Sequence, residues 1–483
     1  MRVELYCQSH ILGVQGGYNC NMQRNSHVSQ VVLLLALGLL IAGPFLVSGW
    51  NALRQAESAT DPIRAAQLYK TAAQRLFWRD DLWERAGLAA AQTNRPEEVI
   101  RLLMRAPRLS AQGWLALGQA YLQTNQPDPA LQAFQSSIQI HAMPQAYAGL
   151  ARIQHERGDV EAERAALENQ LLLVPEDAAA QYRLGLLLTL ADINAAMTHL
   201  QTASQLDPEY GPVFETLRST LTLAELDPTE AGRLITLGRG LALVDEWALA
   251  ARAFQSAADA DAGQAEAWAW LGEANQHLGQ AGRAALDQAL ALNPNSVVVR
   301  GLRGLYWKRI GDNRQALAEY QSAAALEPEN PAWKASLGET YARLGDLVLA
   351  LENFQRATEL VPNDPTYWRI LAVFSVENGV RIEDVGLPAA QKAVELAPED
   401  PMMLDTLGWA QMASGRYYTA EQSLLSALKF SPDFAEAHLH LGMVYLQTGN
   451  RNGAYDQLRR AADLDPNGGT GQQASLLLQQ NFP

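Results

Sequence analysis

Gly304, Gly338, Gly408 and Gly442 are each followed 24 residues later by a proline, at Pro328, Pro362, Pro432 and Pro466. Gly304 and Gly338 are 34 residues apart, as are Gly408 and Gly442; between these pairs Ala372 takes the glycine's place, 34 residues after Gly338 and 36 before Gly408. A step held this tightly leaves few folds open. A chain with such a period builds one small supersecondary unit many times over, and a unit of that size cannot bury its own apolar face. Neighbouring units must cover it, so the chain is expected to stack.

Inside the unit the apolar residues recur with the 3.6-residue period of a helix, twice. From Pro331 to Asp364, Trp333, Leu337, Tyr341 and Leu344 share one face of a first helix, and Ala350, Phe354 and Ala357 share one face of a second. Gly345-Asp346 is expected to close the first helix and cap the second, because glycine accepts the left-handed conformation and a carboxylate accepts from orphan amides. Pro362 then ends the second helix, while Asn330-Pro331, Asp364-Pro365 and Asp400-Pro401 each place a capping side chain before a proline suited to the first helical turn. The small residues Gly338, Ala350 and Ala357 let the two helices approach closely, and the aromatics fill the space beside them.

This order of residues, clearest in "WLALGQAY" with Ala130 and Phe134 and in "WKASLGETY" with Ala350 and Phe354, resembles the tetratricopeptide repeat. The resemblance implies an all-α fold: a right-handed superhelical solenoid of helix-turn-helix repeats, here preceded by one N-terminal transmembrane or signal helix. Units are expected to begin near Asp80, Ala111, Pro144, Ala178, Ala231, Ala265, Val297, Pro331, Pro365, Pro401 and Ala435. Ala65, Tyr69 and Ala72 read as the second helix of an earlier, degenerate unit. Gly185 and Gly238 are 53 residues apart, a unit plus 19, which predicts an unpaired helix or ruined repeat around Tyr210 to Leu226. The unit at Ala265 is two residues short, and the one at Pro365 two residues long, with a bulge at "RIEDVGLPAAQ". The expected divisions are a tail at 1–27, an anchor or signal at 28–50, a degenerate repeat at 51–79, arrays at 80–210 and 231–468 around the extra helix at 211–230, and a capping helix with tail at 469–483.

In the family, the second, fifth, ninth, twelfth and thirteenth positions of each first helix line the concave face. Ninth positions here include Glu273, Leu305, Glu339, Val373, Trp409 and Met443, and none is asparagine; the fifth positions Ala335, Arg369, Asp405 and Leu439 supply no lysine. The family's carboxylate clamp is therefore not expected. Met402, Trp409, Met412, Leu439 and Met443 are candidates for a soft apolar groove that takes a peptide or amphipathic helix, with Arg369 beside it to meet an acidic residue. Packing between units competes with that reading for the same residues.

Composition narrows the partners further. A formal charge of -15 disfavours nucleic acid, whose binding rests on lysine and arginine displacing counterions. Cys7 and Cys20 lie in the first twenty residues, so no disulfide framework can serve the main body, and neither Cys7 with His10 nor Cys20 with His27 has the spacing of a compact metal site. Val31 to Ser48, "VVLLLALGLLIAGPFLVS", has 18 residues and no charge. As a helix it spans about 27 Å against a hydrocarbon core of roughly 30 Å, with Pro44 as a kink and Trp50 at the interface. A lipid bilayer is thus an expected partner through residues 31–48, a cleaved signal peptide ending before Trp50 being the alternative. Met22, just ahead of the run, reads as the more natural start of a targeting sequence, and Arg24 without a nearby acid favours an exported array on a single-pass protein of a bacterial plasma membrane.

Nothing in the sequence points to catalysis, a cofactor or a metal. No phosphate-binding loop, dinucleotide fingerprint, nucleophile elbow or zinc helix appears, and His438 and His440 point about 200° apart on a helix. His438 is expected in the core and His440 toward groove or solvent. The functional expectation is a non-catalytic, membrane-tethered scaffold for protein–protein interaction, with assembly or secretion of an envelope complex as its setting. A permanent subunit of a membrane complex is the alternative, and polysaccharide binding through Trp409 a weaker one.

Overall fold

The structure is a computed structural model that describes residues 33, 40 and 42–482, and every regular element among them is helical. The chain divides into two compact units, Met1–Phe214 and Glu215–Pro483, the division falling within the helix Gly211–Glu225.

Within each unit, successive helices form antiparallel hairpins. In the first, Asp81–Ala91 pairs with Pro96–Leu103, Ala111–Gln123 with Pro127–Ile140, Pro144–Arg157 with Val160–Leu173, and Ala178–Leu188 with Ile193–Leu206. In the second, the first helices begin at Glu230, Ala265, Val297, Pro331, Pro365, Pro401 and Ala435. The punctuation works through local hydrogen bonds. Asp364 and Asp400 accept from the backbone N–H two residues on, at Thr366 and Met402, and so cap first helices whose next residue is proline. Gly345 adopts φ +84°, and Asp346 then caps the second helix by accepting from Leu349 N–H. Asn125 and Asp245 hold the same left-handed place in their own turns, short polar side chains being the ones that tolerate it.

The core explains the glycine period. A Cβ on Gly338 would lie 2.9 Å from the Phe354 ring, one on Gly304 2.4 Å from Tyr320, and one on Gly408 2.5 Å from Leu424. Each glycine thus faces the bulky residue sixteen positions later, across the hairpin. Gly338→Leu should destabilise its hairpin by about 1–3 kcal/mol through overpacking. Denaturant melts of the two proteins measure this; coincident curves would show that the ring has room to move.

The irregular units have local causes. The second helix of the Ala265 unit, Arg283–Leu292, has 10 residues, and Gly282 packs so close that a Cβ there would lie 2.1 Å from the carbonyl oxygen of Gly272. In the Pro365 unit the extra residues form a π turn at Ile382–Gly386, entered through Arg381 at φ +48°. At the C-terminal end, Gly469–Asn481 covers the last hairpin, and its Ala474, Leu477 and Leu478 pack with Leu439, Leu458 and Ala461.

At the other end the chain is helical from 42 to 57, across the boundary expected between residues 50 and 51. Its Ala52 and Leu53 pack on Ala72, Ala73 and Leu76, so this helix forms a hairpin with Pro62–Arg75. Half of the apolar run at 31–48, with Cys7, His10, Cys20 and His27, lies outside the described residues. Among the described residues, no helix is long and apolar enough to cross a membrane.

Candidate functional site

The first helices Pro331–Arg343 and Pro365–Glu377 of consecutive repeats flank a groove of about 690 Å³. Ala335, Glu339 and Arg343 line it from one helix; Arg369, Val373 and Glu377 line it from the next. These are the fifth, ninth and thirteenth positions of each helix. One helical face presents them because the intervals between them are all four residues. Phe354 and Phe374, with ring centroids 4.9 Å apart, give the groove apolar wall.

Charges on this face are mostly consumed within the array. Glu273 is buried at 3% exposure and takes both terminal nitrogens of Arg309, at 2.7 and 2.6 Å. Glu339 accepts from Lys308 Nζ at 2.9 Å and from Arg343 Nη2 at 3.0 Å. Asp405 Oδ1 is 2.7 Å from His440 Nδ1, and the His440 ring stacks on Trp409 with centroids 4.8 Å apart. Arg369 differs. Its Nε is buried and has no hydrogen-bond partner, the one charged group among the buried polar atoms of the described residues in that condition. Leaving such a donor unmet costs upward of about 1–3 kcal/mol.

The candidates from the sequence do not form one surface. Arg369 belongs to the groove just described. Met402 is 44% exposed, whereas Leu439 is 3% exposed and lies in the core under the capping helix, a position that withdraws it from any partner. Met412 and Met443 pack against the cores of their own hairpins, and Trp409 is half-buried beside His440. His440 is itself buried, contrary to expectation, because Asp405 on the preceding repeat offers it a partner; His438 bonds Gln457 and the Pro432 carbonyl. Among the described residues, no cluster of three or more histidine, cysteine, aspartate or glutamate side chains is arranged to hold a metal. Ser336, Ala342 and Asn378 also line the groove; the twelfth-position rule, applied to the Pro331 helix, picks out Ala342, while Ser336 and Asn378 have no signal in the repeat.

Among solved structures, the chain is similar to the Cut9–Hcn1 hetero-tetramer of the APC/C, at 17% identity over 92% of this chain and 95% of that one, with a TM-score of 0.45. It is also similar to a tetratricopeptide repeat protein from Parabacteroides merdae, at 15% identity over 53% and 99%, TM-score 0.43, and to yeast Tom70, at 16% over 77% and 95%, TM-score 0.34. A search of curated proteins finds no match to the sequence. The tetratricopeptide repeat family model matches residues 115–172, 303–365 and 406–469, and with the hairpins observed there these three stretches are tetratricopeptide repeats.

Proposed function

We propose that this chain is a non-catalytic scaffold that holds a segment of another protein in the groove between Pro331–Arg343 and Pro365–Glu377, and that residues 31–48 tether it to a bilayer. Arg369, which lines the groove and is engaged by no carboxylate of the array, carries the first half of this reading. A bound segment would place an aspartate or glutamate on Arg369 and an apolar side chain against Val373 and Phe374. The length and lack of charge of Val31 to Ser48 support the second half, and Arg24 on the near side of that run favours an exported array.

A library of short random peptides panned against the full chain in mild detergent tests the groove. Retained peptides should carry an acidic residue next to an apolar one. Arg369→Glu should weaken them tenfold or more, since a hydrogen bond to a charged group is worth about 1.5–3 kcal/mol. If Arg369→Glu and Val373→Asp both hold the same peptides with unchanged affinity, this groove is not the binding site.

A further inference from the structure

The helix at 42–57 ends the apolar run and enters the first hairpin without a break, which fixes what lies beside the point where that run stops. A Cβ on Gly49 would be 2.9 Å from Leu76, and Arg75 donates to Ser48 Oγ, so residues 48–49 are level with the C-terminal end of Pro62–Arg75. The loop that follows carries Phe77, 80% exposed, and Trp78, 48% exposed, packed edge to face. Phe45, Val47 and Trp50 on the helix are exposed at the same level, with the Arg75 guanidinium 5.6 Å from the Phe45 ring and that of Arg79 5.9 Å from Trp50. The next loop along this edge, 104–110, is held against the start of Asp81–Ala91 by Ser110 N–H donating to Glu84 and by Arg105 over the Trp83 ring. It adds the exposed Met104. Arg75, Arg79, Arg105 and Arg108 thus gather on one edge against Asp80, Asp81 and Glu84, in a chain whose formal charge is -15; Arg79 is held by Asp81 through two hydrogen bonds of 2.8 and 2.9 Å, which leaves Arg75, Arg105 and Arg108 as the freer cations.

We infer that this edge, the loops at 76–80 and 104–110, is a second membrane contact that lies in the headgroup layer of an anionic phospholipid bilayer beside the apolar helix. The inference rests on the tethering proposed above. Exposed phenylalanine and tryptophan next to arginine is a poor surface for water and a good one for the interface, where aromatic rings settle at headgroup depth and arginines meet lipid phosphates. Two contacts would also fix the rotation of the first hairpin about the apolar helix, which a single helix entering the bilayer would leave open.

The test uses the full chain with Cys7 and Cys20 replaced by serine, reconstituted in phosphatidylcholine vesicles with and without phosphatidylglycerol. An environment-sensitive fluorophore is placed through Phe77→Cys or, at the opposite end of the Ala111–Gln123 helix, through exposed Gln126→Cys. Flotation with the vesicles reports the tether alone. The label at 77 should shift to the blue and be quenched by lipids spin-labelled near the headgroup, more so with phosphatidylglycerol, while the label at 126 stays in water. Arg79→Glu with Arg105→Glu should reduce the quenching without changing flotation. A chain that floats while both labels behave alike, or a label at 77 buried against protein and insensitive to lipid quencher, overturns the membrane-facing edge and leaves the tether standing. A chain that does not float overturns both.

Discussion

Phe134→Ala is expected to destabilise the hairpins on both sides of it by about 3–5 kcal/mol, the usual cost of emptying a fully enclosed aromatic site. Phe134 has no exposed surface and packs with Leu115, Ala130, Ala146 and Ile153. Its ring is pinched between two glycines: a Cβ on Gly118, in the first helix of its own hairpin, would lie 2.7 Å away, and one on Gly149, in the first helix of the next, 2.5 Å away. The ring therefore sets the spacing of three helices at once. Gly149→Ala alone should cost about 1–3 kcal/mol by overpacking. In the Phe134→Ala background the added methyl meets a cavity, so the double variant should be more stable than the two single losses predict. Because stability in a repeat array is local, amide exchange over residues 111–157 of the full chain is the measurement. Strictly additive losses would mean that the ring and Gly149 do not share that space in solution.

The same pinch explains why so much of the fold was legible. Gly338 and Phe354 are neighbours in space and sixteen residues apart in sequence, and the same constraint recurs at Gly118 with Phe134, Gly304 with Tyr320, Gly408 with Leu424 and Gly442 with Leu458, so it survives as a period. Helix starts were legible for a related reason: Asp364 and Asp400 act within two residues of themselves. The tetratricopeptide pattern, read from "WKASLGETY" and its relatives, carried that far. It did not carry to contacts between units. His440 meets Asp405 across 35 residues, and no period marks that pair. Leu439 occupies a groove position by number but is covered by Gly469–Asn481, an element outside the repeat. The shift from an apolar run to a polar chain near residue 50 looks like a boundary, yet the helix passes through it, because a change of surroundings does not require a change of backbone.

The groove was half legible. The fifth-position rule singles out Arg369, and the structure gives that residue a groove. Sequence alone joined it to the methionines of the units that follow; the groove instead opens toward the preceding helix, with Glu339 and Arg343. What decides this is which charges the array neutralises internally. Glu339 is engaged by Lys308 and Arg343, whereas Arg369 Nε is left with no partner, and such pairings depend on side-chain reach between helices rather than on spacing within one.

Glu319→Ala should be the most damaging single change in the second unit's polar core, at roughly 3–5 kcal/mol, because it takes a buried carboxylate away from the buried guanidinium of Arg303. Glu319, 6% exposed, accepts from Arg303 Nε at 2.9 Å and from Arg300 Nη1 at 2.7 Å. Arg303 in turn donates to Asp287 Oδ1 at 2.5 Å, so the network joins the second helix of one repeat to both helices of the next. Burial works against the Arg303 charge, but the bonds to Asp287 and Glu319 outweigh it and hold the guanidinium above its ordinary pKa. Take the carboxylate away and only the penalty of burial remains on that side. The sign reverses if the charge goes too: Arg303→Met with Glu319→Leu removes both buried groups, and replacing a buried pair by apolar side chains of similar volume is commonly neutral or stabilising. Arg300 keeps its bond to the Pro294 carbonyl and can turn toward solvent. Amide exchange over residues 283–326 should thus accelerate sharply in Glu319→Ala and return close to the parent rate in the double variant. Equal acceleration in both would mean that the network holds the repeats together by its charges, not merely by avoiding an unpaired one.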